Sequence, residues 1–189
     1  MLSPKIVSPD ATLPAAWLPL AHPSRIIVHW TAGGYVATDD DCQHYHFVVQ
    51  EDGSIRRGAH SIASNDSTGD GVYAAHTRGL NTKSIGVAVA CMKGACERPF
   101  DAGQAPLTLR QWQACARLVA KLSAHYGIKV TAHTVLSHAE VQDTLHVQQR
   151  GKWDINVLPW APLMAPREVH EQFREMVRNS VDASVTGAA

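Results

Sequence analysis

Hydrophobic positions along the chain fall into runs whose spacing switches between two residues and about 3.6, and the switches mark the elements. Ile26, Ile27 and Val28 run together ahead of His29 and Trp30, as in a strand buried on both faces. Thr31, Ala32, Gly33 and Gly34 end that run. Residues 38–43, TDDDCQ, predict a short helix capped by Thr38, with acidic side chains in the first turn where the helix dipole favours them. Residues 45–50 then alternate: Tyr45, Phe47 and Val49 face one way, His46, Val48 and Gln50 the other. Glu51, Asp52 and Gly53 predict a hairpin turn, with a returning strand over 54–57. Residues 84–91, SIGVAVAC, alternate again. Ile85, Val87, Val89 and Cys91 share a face, while Gly86, Ala88 and Ala90 leave the other face bare enough for close approach by a helix or ligand.

Thr108 to Gln111 reads as a capping box. It opens a helix whose stripe is Leu109, Trp112, Ala116, Val119 and Leu122, closed at Gly127. A short strand is expected over 128–132, and Pro166 starts a polar helix reaching about residue 179, before a frayed end. Residues 58–83 and 92–106 are loops, the first rich enough in Gly, Ser, Asn, Asp and Thr to predict a rim or binding surface. This order predicts an α/β fold of a single domain, a central mixed sheet flanked by helices. Residues 1–24 are expected as a surface arm, 25–165 as the domain proper and 166–189 as a C-terminal helix and tail.

Composition narrows the function. At 189 residues there is room for one real core. Seventeen basic and seventeen acidic residues cancel, which leaves no electrostatic footprint for nucleic acid. Prolines and polar residues occupy the N-terminus where a secretory apolar stretch would stand, so neither a signal peptide nor a membrane span is expected. The four cysteines form no C-x-x-C pair; reduced thiols are expected, although Cys91 and Cys96 are close enough in sequence to bridge if oxidised. Eleven histidines raise interest in a metal.

The stretch 137–158 offers His138, Lys152 and Asp154, and His29 stands at the end of the first buried strand. Two imidazoles and a carboxylate would suit a hydrolytic zinc, which keeps three protein ligands and leaves a position for water. Such a metal lowers the pKa of water from near 16 to about 7. A lysine beside it would favour a developing oxyanion. The spacing includes no H-E-x-x-H, so it leaves a second reading open: a core histidine, a surface histidine and an ordinary Lys152/Asp154 pair.

The pieces IIVHWTAG, YHFVVQEDGSI, AAHTRGLNTKSIGV, LSHAEV and GKWD, in that order, resemble the zinc-dependent N-acetylmuramoyl-L-alanine amidases. That family is shared by phage lysozyme-amidases, bacterial muropeptide amidases and animal peptidoglycan recognition proteins. The resemblance runs from about Arg25 to Pro159. It implies Zn2+ held by His29, His138 and Asp154, with Lys152 as an oxyanion-stabilising or substrate-orienting group. Some relatives carry a glutamate in the strand matching SIGVAVAC, where Ala88 and Ala90 stand here. Others use the tyrosine of a YHF motif, which is Tyr45 here. The resemblance therefore implies the tyrosine type, with Tyr45 donating a hydrogen bond, because a phenol of pKa near 10 is a poor base at neutral pH. Glu140 and Glu51 are alternatives, each expected as a solvated carboxylate. His76 and Asn81 match a substrate-lining segment, His46 a structural position, and His44 a surface one. His133 could support the site from behind.

Two departures stand out. The segment between His138 and Lys152 is longer than in compact relatives, and Ile155 follows Asp154 where many relatives have proline. The implied partners are peptidoglycan or muropeptides, and a monomer is expected. The implied reaction cleaves the amide between N-acetylmuramic acid and L-alanine. The setting would be the cell wall after holin- or secretion-dependent release, or the cytoplasm. The rival is a noncatalytic peptidoglycan-binding module, and relatives of that kind typically lose a metal ligand.

Overall fold

The computed structural model of the chain describes residues 5–186, with side chains described up to residue 182. Its strands are β1 (Ile6–Val7), β2 (Arg25–Trp30), β3 (Phe47–Val49), β4 (Ile55–Arg57), β5 (Ser84–Val89) and β6 (Val135–Ser137). Its helices are α1 (Asp39–His44), α2 (Leu109–Tyr126), α3 (Val141–Leu145) and α4 (Pro166–Thr186). The strands form one sheet in the order β1-β4-β3-β5-β2-β6. β2 runs parallel to β5 and β6, β3 runs parallel to β5, and β4 is antiparallel to β3 and β1. This is the mixed α/β sheet that the sequence predicts.

Alternation divides the sheet into two faces. Ile26, Val28 and Trp30 join Ile85, Val87 and Val89, and with Phe47 and Val49 they build the main core. Trp112, Cys115, Ala116, Val119 and Leu122 of α2 and Val169, Phe173 and Val177 of α4 complete it. The rings of Trp112 and Phe173 meet at 4.3 Å. The opposite face carries a much smaller cluster of Ala37, Val48, Ala88 and Ala90 with Tyr45 against it. His29 pairs in register with Ala88, which pairs in turn with Val48, so His29 lies on this sparse face.

The helix starts follow the sequence. Thr38 caps α1 with Asp41, and Thr108 caps α2 with Gln111. Gln111 is fully buried, and its Nε2 donates to Ala90 O at 2.8 Å, which ties the start of α2 to the end of β5. Gly127 closes α2 at φ 66°, a left-handed position that glycine takes without steric cost. The hairpin between β3 and β4 turns at Gly53, φ 79°.

Several expectations are corrected. Residues 128–132 are not a strand. The Thr131 N–H donates to Thr134 Oγ1 and the Val135 N–H to Thr131 O, so a turn occupies the backbone there and pairing starts at Val135. Tyr45 is not on the Phe47 side. It ends α1 with its N–H on Asp41 O and packs with Val48, because the strand pleat begins only at Phe47. Leu109 opens α2 half exposed instead of joining its buried stripe. The segment before Arg25 is more than a surface arm: β1 edges the sheet, and Leu13 and Trp17 are buried in the main core, with the Trp17 ring 6.0 Å from Phe47. α4 extends to Thr186, past the expected end, and residues 187–189 of the expected frayed tail lie outside the described residues. All four cysteines are free; Cys42, Cys91 and Cys115 are buried and Cys96 is exposed. Among the described residues no helix is long and apolar enough to cross a membrane.

Candidate metal centre

His29 is the next-to-last residue of β2 and is buried. β6 runs beside β2 with Ser137 opposite Val28, so the residue after β6 is delivered to the same end of the sheet. That residue is His138, which opens a 3-10 turn, His138–Glu140. Asp154 arrives from the other end of the following loop. Its carbonyl accepts from the Ala139 N–H at 2.7 Å, and the Trp153 ring packs edge-on to Trp30 at 4.6 Å. Strand pairing thus fixes two of the side chains, and the backbone link from Ala139 and the tryptophan contact fix the third.

The three groups converge. His29 Nδ1 lies 3.1 Å from His138 Nδ1 and 3.2 Å from Asp154 Oδ2, and His138 Nδ1 lies 3.2 Å from Asp154 Oδ2. Three lone-pair atoms directed at one point repel each other unless a proton or a cation sits between them. A tetrahedral zinc with bonds of about 2.0–2.1 Å asks for donor separations of about 3.3 Å. The triangle meets that demand with little adjustment, and its nitrogen and oxygen donors suit zinc. Burial pulls His29 down to about 4, with the Asp154 hydrogen bond opposing. Burial alone would raise the Asp154 carboxyl, but the two imidazoles against it outweigh burial and hold the group below its ordinary value. Neutral imidazole and ionised carboxylate are the forms that ligate a metal.

Each histidine is held from behind. His138 Nε2 lies 2.9 Å from Gln149 Oε1. His29 Nε2 lies 3.3 Å from both His76 Nδ1 and Thr77 Oγ1, which are themselves 2.8 Å apart. His76 can reach that position because residue 86 is glycine: a Cβ there would stand 2.5 Å from the His76 ring. The bare face of β5 is therefore occupied by a loop histidine.

Glu140 was expected as a solvated carboxylate, and the structure overturns this. It is buried, its Oε1 accepts from Arg174 at 2.7 Å, and its Oε2 accepts from the Ser137 N–H at 2.8 Å. From the same helix, His170 Nδ1 stands 3.4 Å from Glu140, and His170 Nε2 stands 3.0 Å from Ile155 O. α4 thus grips both segments that carry the triangle, one residue or two beyond His138 and Asp154. The sequence carries no period or motif that signals this pairing.

A groove of about 230 Å³ opens on the triangle, lined by Trp30, Thr31, Ala32, Tyr45, His76, His138, Lys152, Trp153 and Asp154. A larger hollow of about 400 Å³, at the ends of α2 and α4, includes Ser123, Lys129 and Arg178 but lies on the helical face, away from the triangle. Tyr45 stacks obliquely on His29 at 5.2 Å, and burial with the Asp154 charge raises its phenol above the ordinary value. Lys152 is exposed at the groove. Asn81 is not among the lining residues. Its Oδ1 accepts from the N–H groups of His76 and Thr77, so it braces the loop that carries His76. Glu51, exposed at the hairpin, and Glu140 are also outside the groove lining.

His46 is buried between Gly86 N–H, which donates to its Nδ1 at 2.9 Å, and Asn65 Oδ1, 3.0 Å from its Nε2. Asn65 also bonds both backbone groups of Ala74 and the carbonyl of Asn81. It is a hub of the loop, and nothing in its sequence context reveals that. His44 ends α1 half exposed, near Asp40. His133 is exposed in the turn before β6.

A family model described as N-acetylmuramoyl-L-alanine amidase matches residues 19–155. The chain belongs to this family. Its fold is similar to that of N-acetylmuramoyl-L-alanine amidase LysC from Clostridium intestinale URNW, with TM-score 0.50, 18% identity, and 84% of this chain and 87% of that chain covered. The endolysin amidase LysCS from the same organism gives TM-score 0.50 and 18% identity over 84% and 85% of the two chains. The Ph2119 endolysin from Thermus scotoductus MAT2119 bacteriophage Ph2119 gives TM-score 0.48 and 18% identity over 82% and 84%. No curated protein matches the chain.

Proposed function

We propose that this chain is a zinc-dependent amidase of peptidoglycan, cleaving the amide between N-acetylmuramic acid and L-alanine. One observation carries the reading: a chain of the amidase family brings His29, His138 and Asp154 into a buried triangle with edges of 3.1–3.2 Å at the floor of a groove. These three side chains would hold the ion. When bound, zinc supplies Lewis acidity toward the scissile carbonyl and makes water a nucleophile near neutral pH.

The protein's own groups divide the remaining work. Lys152 brings a full positive charge to the mouth of the groove, where it attracts the anionic oxygen that develops on the carbonyl. Tyr45 stays a neutral phenol, because burial and the nearby carboxylate oppose its ionisation, and so it donates a hydrogen bond to the intermediate. His76 lines the groove while holding His29, and Asn81 serves substrate binding only through the loop it braces. Glu140 takes no part in proton handling, since Arg174 holds it as a buried ion pair. The presence of all three ligands favours turnover over a purely binding role. We assign its action to the cell wall, as an endolysin-type or exported lytic enzyme.

The test is release of stem peptides from purified sacculi by the zinc-loaded chain, with Asp154→Ala as control. Release that Asp154→Ala abolishes upholds the reading. Tight sacculus binding with no release from the zinc-loaded chain would reassign it as a peptidoglycan-binding module.

A further inference from the structure

We propose that Gln149 is a positioning residue that dictates the tautomer and ring orientation of His138, an inference that rests on the reading of His138 as a ligand. In the stretch 142–152 Gln149 is the one buried side chain, at 4% exposure, while Gln148 and Arg150 on either side are exposed. A polar side chain turned inward from a surface loop needs partners for both ends of its amide.

The partners leave no freedom. The Nε2 of Gln149 donates to Arg78 O at 3.0 Å and to Val147 O at 3.2 Å. Both are carbonyls, which only accept, so the NH2 end must face them. Oε1 must then face His138 Nε2, 2.9 Å away. An amide oxygen only accepts. His138 therefore carries its proton on Nε2 and turns the Nδ1 lone pair toward His29 and Asp154. A second contact stiffens the clamp, as the backbone N–H of Gln149 donates to Gln142 Oε1 at 3.1 Å. Because Arg78 lies in the loop after His76, Gln149 also joins the two loops that cover the site face.

His29 has no equivalent. Its outer nitrogen faces His76 Nδ1 and Thr77 Oγ1 at 3.3 Å each, and either group can donate or accept. Of the two histidines in the triangle, it is His138 whose neighbours force one tautomer.

The experiment reads the histidine rings of the full, metal-free chain by nitrogen NMR, alongside zinc affinity by chelator competition, for wild type and Gln149→Met. The wild-type chain should show His138 protonated on Nε2. Gln149→Met should populate both tautomers and weaken zinc binding by about 10–100-fold. A wild-type His138 protonated on Nδ1 and bare on Nε2 overturns the proposal. So does a folded Gln149→Met with unchanged tautomer and zinc affinity, which would make Gln149 a loop pin alone. Should Gln149→Met not fold, the wild-type ring spectrum still decides. Should the wild-type chain bind no zinc, the metal reading falls, and the same spectrum still upholds or overturns the clamp.

Discussion

The two faces of the central sheet are held by different physics. The helical face is hydrocarbon against hydrocarbon: Ile26, Val28, Ile85, Val87 and Phe47 beneath Trp112, Leu122 and Phe173. The site face has an apolar cluster of only four buried residues, and directional bonds secure the rest. His46 with Asn65, Asn81 with the His76 loop, Gln149 with His138, and Glu140 with Arg174 and His170 form that framework. Dispersion and burial tolerate small displacements, whereas a hydrogen bond fixes distance and angle. The triangle of His29, His138 and Asp154, with edges of 3.1–3.2 Å, is accordingly built on the face where position is set by bonds.

That contrast can be broken at several depths. The largest effect is expected from His29→Ala, which removes the corner of the triangle supplied by the sheet itself. Zinc binding and stem-peptide release should both fall below detection, as read by chelator competition and the sacculus assay. Next, Arg174→Ala takes the guanidinium away from the buried Glu140 carboxylate and should cost about 3–5 kcal/mol in denaturant unfolding. The double variant Glu140→Leu with Arg174→Met should recover most of that stability, and if it does not, the pair is more than a charge match.

Acid probes the same face without mutation. Burial holds His46 at about 4 in the folded chain, below its ordinary 6.5. The folded state binds that proton less readily than the unfolded state. The contribution is therefore intact above pH 6.5 and is lost as pH falls toward 4, by about 3 kcal/mol in total. Unfolding measured at pH 7, 5.5 and 4.5 should show the slope, and His46→Gln should make it shallower while leaving the share that buried His29 contributes. Lys152→Ala should leave zinc affinity unchanged and slow turnover by about 100-fold; full activity in that variant would remove the oxyanion role. The smallest effect belongs to the helical face. Thr108→Ala should cost about 1 kcal/mol through the lost cap of α2, with zinc affinity unaltered.

Much of the scaffold was legible because it depends on neighbours in sequence. The buried run of β2, the alternation of β5, the hairpin at Gly53 and the capping boxes at Thr38 and Thr108 are local patterns, and each appears in the structure. The failures share a cause. Residues 128–132 have strand-like composition, but a Thr131–Thr134 turn claims their backbone. Alternation through Tyr45 breaks because a helix end is joined directly to the strand. Glu140 read as a solvated carboxylate, since nothing near it in sequence announces Arg174 and His170, 34 and 30 residues away across the fold.

By itself the sequence determined strands β2 to β5, the main helix and, through the family resemblance, the three residues that could ligate a metal, because periodicity, caps and motifs are written locally. The tertiary structure decided that His29, His138 and Asp154 share one point, through the parallel pairing of β2 with β6 and the packing of Trp153 on Trp30. It also decided which nitrogen of His138 faces that point, through the amide of Gln149. Distances between residues more than a hundred positions apart, and the proton of a ring, follow from packing in three dimensions, which no stretch of residues specifies alone.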